Sequence, residues 1–243
     1  MEAFKTTFLS AAAKCTDWIY PPRCPVCDDA APGGTAVCPE CFGKLQRVGE
    51  DFCLKCGKPI GGHEAEYCRD CMDGKHLFEQ GRSLYVYEGD LRASLYRMKY
   101  GGRREYAGFY GEQMVRYLGG FIKRTDAQGL VPVPISKKRQ KERGYNQAAL
   151  LAEKIADMTG IPLYEDLVLR VRDTAPQKKL DAIQRQNNLK KAFKIGRNDV
   201  KLDRLILIDD IYTTGATVDA VAKVLRQYGS GKVYVLTLAA GKQ

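Results

Sequence analysis

Histidine is scarce in this chain of 243 residues, which holds only His63 and His76. Without a histidine after position 76, a serine or cysteine nucleophile activated by an imidazole is not expected in the larger part of the chain. No apolar run approaches the roughly 20 residues that a membrane-spanning helix needs. The stretch "FLSAAA" near the start is too short and too poorly flanked for a signal peptide. We therefore expect a cytoplasmic protein.

Two common phosphate-binding loops are also absent from the sequence. It contains no G-x-x-x-x-G-K-[ST] loop, which excludes a nucleotide site of the Walker type. The G-x-G-x-x-G fingerprint of dinucleotide-binding folds does not occur either. Any phosphate site in this chain must therefore be built differently.

Acidic residues are outnumbered by basic ones, 29 to 39, which gives a formal net charge of +10. The excess is confined to one part of the chain: residues 1–75 carry 9 basic and 11 acidic side chains, and the remainder carries 30 and 18. A basic surface indicates a polyanionic partner, such as nucleic acid or a phosphorylated small molecule, although solubility alone also explains a modest excess.

Cysteine, in contrast, is abundant and regularly spaced. Eight of the nine cysteines form four C-x-x-C pairs, namely Cys24 with Cys27, Cys38 with Cys41, Cys53 with Cys56, and Cys68 with Cys71. Two such pairs complete a tetrahedral zinc site, and four pairs in a chain without a secretion signal favour zinc over disulfides or redox chemistry. We predict two sequential sites because the short spacers close small loops. An interleaved arrangement, in which the first and third pairs share an ion, stays open.

Neither predicted zinc site has an open ligand position, so both ions are expected to be structural. We place an N-terminal helix and this zinc module in residues 1–75 and a second domain in residues 76–243. Four thiolates give each zinc site a net charge of about −2, so the module suits docking onto its basic neighbour or onto a partner protein. The two histidines are alternative ligands at best.

The second domain alternates between strand and helix patterns, which predicts a parallel sheet flanked by helices. The last third is a βαβ crossover whose aliphatic strands are expected to be buried on both faces. In chain order the predicted elements are a strand at 82–89, helices at about 90–99 and 104–123, a strand from 129, a helix ending at Gly160, a short strand near 162–168, a strand at 204–208, a helix at about 217–228 and the strand "KVYVLTLA".

The stretch "LILIDDIYTTGAT" at 205–217 joins an aliphatic strand to two acids, Asp209 and Asp210, and then to a threonine-glycine turn. Ligands of open α/β sheets bind at the carboxyl ends of strands. Two carboxylates there suit the vicinal hydroxyls of a ribose or a hydrated Mg²⁺ ion. The N–H groups at the start of the next helix suit a phosphate. A helix cap is the simpler alternative, but it requires only one such residue.

This stretch resembles, at all 13 positions, the phosphoribosyl pyrophosphate (PRPP) signature of type I phosphoribosyltransferases. The resemblance implies that Asp209 and Asp210 hold the ribose hydroxyls of PRPP. It implies a 5-phosphate cradle formed by Thr213, Thr214, Gly215, Ala216 and Thr217. It also implies a second loop that binds pyrophosphate with Mg²⁺, a role for which "VPISKKR" at 133–139 is suitably placed, and a mobile lid, for which the polar segment 170–191 is suitable.

Three further stretches narrow the resemblance to one family. "PPRCPVC", "VPVPISKKRQKERGYNQAALLAEKIA" and "RVRDTAPQKKLDAIQRQNNLKKAF" resemble the ComF/GntX family, and the likeness covers nearly the whole chain. Members join a cysteine-rich zinc module to a phosphoribosyltransferase-like domain. Bacterial members with this layout are late competence proteins, associated with the uptake of transforming single-stranded DNA. The resemblance implies that the zinc module docks a competence helicase or another uptake protein, with a position at the inner face of the membrane through such partners.

A basic patch begins within the predicted pyrophosphate loop and continues beyond it, and it consists of Ser136, Lys137, Lys138, Arg139 and Arg143. The simplest interpretation is a solvated loop before a helix. The functional one is a surface for pyrophosphate and a longer polyanion, extended by the lid residues Lys178, Lys179, Arg185, Lys190 and Lys191. Single-stranded DNA would also need aromatic rings for stacking, and the candidates are Tyr96, Tyr100, Tyr106 and Tyr145.

Two functions of different class follow from these patterns. In the first, the chain binds PRPP with Mg²⁺ and single-stranded DNA and acts in DNA uptake. In the second, it is an active phosphoribosyltransferase, a glycosyltransferase of the pentosyl type, which moves the phosphoribosyl group from PRPP to a nitrogenous acceptor. The sequence identifies neither the acceptor nor a catalytic residue.

Overall fold

The computed structural model describes residues 22–31, 35–61, 65–72, 74, 76–172, 192–196 and 201–242. The predicted N-terminal helix and residues 173–191 of the predicted lid lie outside this part of the chain. Within the described ranges the helices are α1 (Pro39–Phe42), α2 (Arg69–Met72), α3 (Gly89–Tyr100), α4 (Tyr106–Thr125), α5 (Lys137–Arg143), α6 (Gln147–Thr159) and α7 (Ala216–Tyr228). The strands are β1 (Gly81–Val86), β2 (Gly129–Pro132), β3 (Val168–Arg170), β4 (Phe193–Ile195), β5 (Arg204–Tyr212) and β6 (Lys232–Ala240).

Four strands form one parallel sheet in the order β1-β6-β5-β2. β5 lies inside the sheet and pairs with β2 over Leu205 to Ile208 and with β6 along its whole length. The side chains from Leu205 to Ile208 are completely buried, which explains why this strand is continuously aliphatic. The predicted crossover, β5-α7-β6, and the predicted parallel sheet flanked by helices are confirmed.

Alternate side chains of β5 enter two separate hydrophobic cores. Ile206 and Ile208 pack with α3, α4 and α6, whereas Leu205 and Leu207 pack with α7 and with the β3-β4 hairpin. This division follows from the two-residue period of a strand, which sends successive side chains to opposite faces of the sheet. Helices therefore cover both faces and leave the carboxyl edge of the sheet available for a site.

The short strand predicted near 162–168 is wrong in its position. Leu163 forms only an isolated bridge to Leu130, and the strand proper, β3, begins at Val168. Pro162 has no N–H to donate to a ladder, although its carbonyl accepts from the Leu130 amide at 2.9 Å. β3 pairs with β4 in an antiparallel hairpin that packs against α7. The described residues on either side of the predicted lid thus lie beside the helix that follows the threonine-glycine turn.

The cysteine-rich segment pairs directly with the edge strand of the sheet. The Val48 amide donates to the Leu84 carbonyl at 2.9 Å, and the Val86 amide donates to the Gln46 carbonyl at 2.9 Å. The first cysteine group shares a core with α3 and α4, and the second shares the core on the other face. The domain boundary at residue 75 remains a prediction, and these hydrogen bonds and shared cores cross it.

Polar contacts of Asp28 fix the first cysteine group to the start of α4. The Arg103 guanidinium lies 2.8 Å from the Asp28 carboxylate, and the hydroxyl of the buried Tyr106 donates to the same carboxylate. Arg97 of α3 donates to the Val26 carbonyl at 2.5 Å. The first group is therefore held on the face of the sheet opposite α7.

Gly57→Ala should destabilise the protein more than Gly160→Ala does. Both glycines have positive φ, 74° and 73°, so a side chain costs each about 1–2 kcal/mol. At Gly57 a Cβ would also lie 2.5 Å from the Arg82 Cα in β1, whereas Gly160 has open space. This overpacking should add about 1–3 kcal/mol. Denaturant unfolding measures the difference, and equal losses would contradict the close approach of the cysteine-rich segment to β1.

Candidate functional site

The two acids lie within the last part of β5. The sequence predicted that the strand ends at Ile208, but β5 continues to Tyr212 because it stays paired with β6, with Asp209 opposite Thr237. On the other side, β2 ends at Pro132, opposite Ile208. Asp209 and Asp210 therefore extend beyond the end of β2 and lie at the carboxyl edge of the sheet, where open α/β folds bind ligands.

Asp209 is electrostatically unfavourable in its ionised form. Burial raises the pKa of the Asp209 carboxyl well above its usual range, and the negative charge of Asp210 adds to the effect. The Asp210 amide donates to Asp209 Oδ1 at 2.8 Å, and Lys99 also favours the charged form. A ligand that donates hydrogen bonds to this carboxylate, or that brings a cation close to it, would relieve the cost of its ionisation.

Lys99, in the last turn of α3, forms an ion pair with Asp210. The two side chains are only 18% and 14% exposed, so the pair is shielded from solvent and stronger than one on the surface. The lysine offsets one of the two adjacent negative charges. Sequence reasoning missed Lys99, because its only local signal is a basic residue near a helix end, which is common without any site.

The threonine-glycine turn leads from β5 into α7. Thr213 and Thr214 are exposed, whereas Gly215 is buried with φ of 79° and precedes the first residue of α7. The helix begins at Ala216, one residue before its predicted start. Because the first amides of a helix have no partner within it, the turn combines free donors with two hydroxyls at the sheet edge.

A second residue that sequence reasoning did not place at the site is His76, which lies beneath this turn. Its Nδ1 is 2.6 Å from Asp219 Oδ2 in the first turn of α7. Its Nε2 is 3.4 Å from the Tyr212 hydroxyl. The sequence indicated only an alternative metal ligand, and the spacing of residues near His76 gives no signal of a contact with β5 or α7.

The predicted pyrophosphate loop begins beside the acids. The Val133 amide donates to the Ile208 carbonyl at 2.9 Å, and Ser136 is buried and accepts from the Arg139 amide at 3.3 Å at the start of α5. Arg143 donates to the Tyr100 hydroxyl at 2.9 Å and so reaches the end of α3, next to Lys99. Lys137, Lys138 and Arg139 are exposed on α5.

The four tyrosines proposed for stacking have different environments. Tyr96 and Tyr100 are 65% and 57% exposed on one side of α3, with ring centroids 5.0 Å apart. Tyr106 is buried, and the partly buried Tyr145 donates its hydroxyl to the Met98 carbonyl at 2.5 Å. Only Tyr96 and Tyr100 of these four therefore present rings to solvent. The basic lid residues proposed to extend this surface lie outside the described ranges.

The eight paired cysteines form two clusters, and the clusters are sequential. Within each cluster the four sulfur atoms lie within 4.8 Å of one another. This geometry decides against the interleaved arrangement. The first cluster is Cys24, Cys27, Cys38 and Cys41, and the second is Cys53, Cys56, Cys68 and Cys71.

The thiols of the second cluster are suited to a cation. A hydrogen bond from Cys56 lowers the pKa of Cys53 to about 4, and the same contact raises the pKa of Cys56. Burial raises the pKa of Cys71. Thiolates this close repel one another, so all four ionise together only around a positive ion. Four sulfur donors without an open position fit a structural zinc ion.

Comparison with known domains agrees with this assignment. Residues 15–72 match the double zinc ribbon domain. The fold and the two clusters thus define a class of protein in which a double zinc ribbon precedes a parallel α/β domain.

Relatives of the whole chain identify the family within that class. The chain is 30% identical over 223 residues to competence protein F of Haemophilus influenzae, covering 83% of this chain and 96% of that protein. It is 32% identical over 201 residues to competence protein ComFC of Bacillus subtilis, covering 79% of each. It is 28% identical over 209 residues to the DNA utilization protein YhgH of Escherichia coli, covering 85% and 91%. The chain belongs to the ComF family, as its motifs indicated.

Among solved structures, a purine phosphoribosyltransferase from Pyrococcus horikoshii matches 54% of this chain and 73% of its own, at 17% identity and a TM-score of 0.34. Across the described ranges, none of the helices has the length and apolar character needed to span a bilayer.

Asp209→Asn should stabilise the ligand-free protein at neutral pH. A carboxyl with a raised folded-state pKa destabilises the fold increasingly as the pH rises above about 4, where the unfolded chain ionises. The amide removes this cost and still accepts from the Asp210 amide. We therefore expect a higher free energy of unfolding at pH 7, and each kcal/mol gained should raise Tm by about 2–4 °C in a chain of this size.

Thermal unfolding at several pH values checks this expectation, and the gain should disappear as the pH falls to about 4. Asp157→Asn, on an exposed position of α6, is the matched control and should leave Tm unchanged. An Asp209→Asn variant that melts lower than the wild type at pH 7 would contradict the cost of ionisation.

Proposed function

We propose that this chain binds PRPP together with Mg²⁺, and also single-stranded DNA, and that it acts in DNA uptake during natural transformation. One observation carries the first part: the paired acids and the threonine-glycine turn of "LILIDDIYTTGAT" lie together at the carboxyl edge of the parallel sheet. The names of the relatives, two competence proteins and a DNA utilization protein, support the second part.

In this proposal the ribose of PRPP lies over the end of β5. Its vicinal hydroxyls donate to Asp209 and Asp210, and hydrogen bonds to charged acceptors each contribute about 1.5–3 kcal/mol. The 5-phosphate occupies the turn from Thr213 to Thr217, where two exposed hydroxyls and the first amides of α7 supply donors. Gly215 allows the backbone to approach the phosphate closely.

Pyrophosphate would be held by residues 133–139 with Mg²⁺. The contact between Val133 and Ile208 puts the start of this loop beside the acids, so one PRPP molecule can reach both. Mg²⁺ is normally held through waters, a carboxylate and the ligand's own phosphates, which suits a site with two carboxylates. Lys99 would then exchange part of its interaction with Asp210 for the incoming ligand.

The double variant Asp209→Asn with Asp210→Asn should bind PRPP about 100-fold more weakly or worse, because two charged acceptors of about 1.5–3 kcal/mol each are replaced by neutral ones. Calorimetric titration with and without Mg²⁺ measures the affinity, with Asp157→Asn as the control that should titrate like the wild type. The proposal fails if the wild type shows no Mg²⁺-dependent binding, or if the double variant binds as tightly.

Single-stranded DNA would follow the basic and aromatic surface beside this site. Lys137, Lys138 and Arg139 are exposed along α5, and Tyr96 and Tyr100 present rings for base stacking on the neighbouring α3. The Tyr100 ring is held by Arg143, whose guanidinium carbon lies 4.7 Å from the ring centre. A cationic track next to stacking rings is the usual arrangement for binding single strands without sequence preference.

Charge reversal of Lys137, Lys138 and Arg139 to Glu should weaken single-strand binding and lower its salt dependence. Each lost phosphate contact reduces the slope of log K against log salt by about 0.7 for a single strand, so three contacts reduce it by about 2. Fluorescence anisotropy of a labelled oligonucleotide over a salt series measures this slope.

Reversal of Lys123, Arg124 and Lys201 is the matched control. These residues are exposed and lie near the amino-terminal ends of the strands, away from the proposed site, just before β2 and β5 begin. If this control and the α5 variant lose the same amount of binding, the DNA contact is a general charge effect and the α5 surface has no particular role.

The zinc module would serve as the element that docks a protein partner in the cytoplasm. Four large apolar side chains are exposed among the described residues of the module, which is the kind of surface that protein partners cover. They are Phe42, Leu54, Tyr67 and Met72, at 48%, 40%, 44% and 72% exposure. A competence helicase or another uptake protein is the partner implied by the family.

An active phosphoribosyltransferase is the second candidate, and one cavity favours it. A space of about 690 Å³ lies between the predicted pyrophosphate loop, α6 and the β3-β4 hairpin, lined by Lys137, Asn146 and Arg170 among others. Its size is sufficient for a small nitrogenous acceptor. Release of pyrophosphate from PRPP with nucleobases as acceptors separates this candidate from a protein that only binds the ligand.

A further inference from the structure

His76 joins the zinc module to the turn that precedes α7. We propose that His76 is a positioning residue through which the second cysteine cluster holds the turn from Thr213 to Thr217 in its ligand-binding conformation. This proposal rests on the proposed function in one respect, since it assigns that turn to a phosphoribosyl ligand. The conformational coupling itself is independent of which ligand binds.

The contacts around His76 form a continuous chain from the module to α7. Asp219, in the first turn of α7, accepts two hydrogen bonds from neighbouring residues. Its Oδ2 lies 2.6 Å from His76 Nδ1, and its Oδ1 accepts from the Leu77 amide at 2.8 Å. Because a carboxylate only accepts, Nδ1 carries the proton toward Asp219, and Nε2 is directed to the Tyr212 hydroxyl at 3.4 Å. The His76 side chain is 6% exposed.

Gly215 depends directly on this arrangement. Its φ of 79° belongs to the left-handed region, and a Cβ at this position would lie 2.7 Å from His76 Cε1 and 2.4 Å from the Tyr212 hydroxyl. The His76 imidazole and the Tyr212 phenol therefore pack directly against the turn at Gly215. If His76 moves, the turn loses the surface against which Gly215 is packed.

The second cluster fixes His76 from the other side. His76 follows Cys71 by five positions, and its ring stacks on Phe78 with centroids 5.1 Å apart. Phe78 and Tyr212 share one buried core with all four cysteines of this cluster. Lys58, which is 7% exposed and pairs with Asp70 at 2.7 Å between Cys68 and Cys71, lies 6.0 Å from the Tyr212 ring centre. A folded second cluster thus fixes the positions of His76 and Tyr212 beneath the turn.

The first cluster has no corresponding connection among the described residues. Its cysteines pack with α3 and α4 on the other face of the sheet, where Asp28 binds Arg103 and Tyr106. The two zinc sites are therefore expected to differ: loss of metal from the second should loosen the turn, and loss from the first should not. Because coupling between the binding free energies of two sites is reciprocal, a ligand in the turn should also tighten zinc binding at the second site.

Hydrogen exchange of the full, zinc-loaded chain tests the coupling without any ligand. His76→Phe keeps the ring stacking on Phe78 and removes both hydrogen bonds, and His76→Asn keeps a donor near the position of Nδ1. We expect exchange to rise about tenfold or more in the Phe variant, as for a lost hydrogen bond to a charged group. The rise is expected in peptide 213–222, at the Asp219 amide, which donates to the Gly215 carbonyl at 2.9 Å, and at the helical amides that follow it. The Asn variant should recover part of this protection, and peptide 106–125 should stay unchanged in both.

Zinc release to a chelating dye, with and without Mg²⁺ and PRPP, is the second measurement. At equilibrium with the dye the wild type should hold two zinc ions, one of which is bound severalfold more tightly when PRPP is present. In Cys27→Ser, which disrupts the first site, the remaining zinc should be the one that PRPP stabilises. A folded His76→Phe protein whose turn exchanges at the wild-type rate overturns the proposal, as does equal stabilisation of both zinc ions by PRPP that is shown to be bound. If His76→Phe does not fold, Asp219→Asn, which weakens the hydrogen bond between residues 76 and 219, is measured instead.

The two proposals fail in distinguishable ways. A wild-type chain that does not bind PRPP ends the ligand assignment, whereas the exchange of peptide 213–222 in the His76 variants still decides the coupling. Conversely, His76→Phe could bind PRPP tightly while its turn exchanges hydrogen at the wild-type rate. That result would support the ligand site and contradict the positioning role of His76.

Discussion

The pairing of β5 with β2 on one side and β6 on the other buries Leu205 to Ile208 completely. Each such side chain contributes about 1.5–3 kcal/mol to folding. A shift of one residue would exchange the two faces of the strand. The positions of Asp209, Asp210 and the following turn are therefore set by the core, and the site needs no separate scaffold. Side chains from the helices on both faces and from the β3-β4 pair share the two cores that this strand divides, and the zinc module joins the sheet at β1.

The chemistry at the end of β5 opposes the stability of the fold. Burial next to Asp210 makes ionisation of Asp209 unfavourable, and Lys99 compensates only one of the two charges. A site that keeps a poorly compensated charge for a ligand is less stable than a neutral replacement would be. The ligand-free protein is thus destabilised by the ionised Asp209 carboxylate, and a ligand with hydroxyl donors and a cation would remove this destabilisation.

Features encoded by neighbouring residues were predictable from the sequence, and those created by the sheet order were not. The C-x-x-C pairs and the strand-turn-helix of 205–217 are local features, so the spacing of their residues was sufficient to predict them. The exception is the last part of β5, which continues as a strand because it stays paired with β6. Lys99 and His76 reach the site only because β1 and its flanking segments lie beside β6 in the sheet. Hydrophobic periodicity carries no information on which strands are neighbours. Burial of Tyr106 has the same origin, since its partner Asp28 belongs to the zinc module.

The hydrogen bonds between the zinc module and β1 have a consequence for the behaviour of the protein in solution. β1 is an edge strand, and edge strands offer unpaired backbone groups that join other chains into aggregates. Segment 46–48 covers part of that edge, and the opposite edge at Leu130 is covered by residues 162–164. A chain deprived of zinc would uncover β1, so the metal ions also protect the protein against self-association through strand addition.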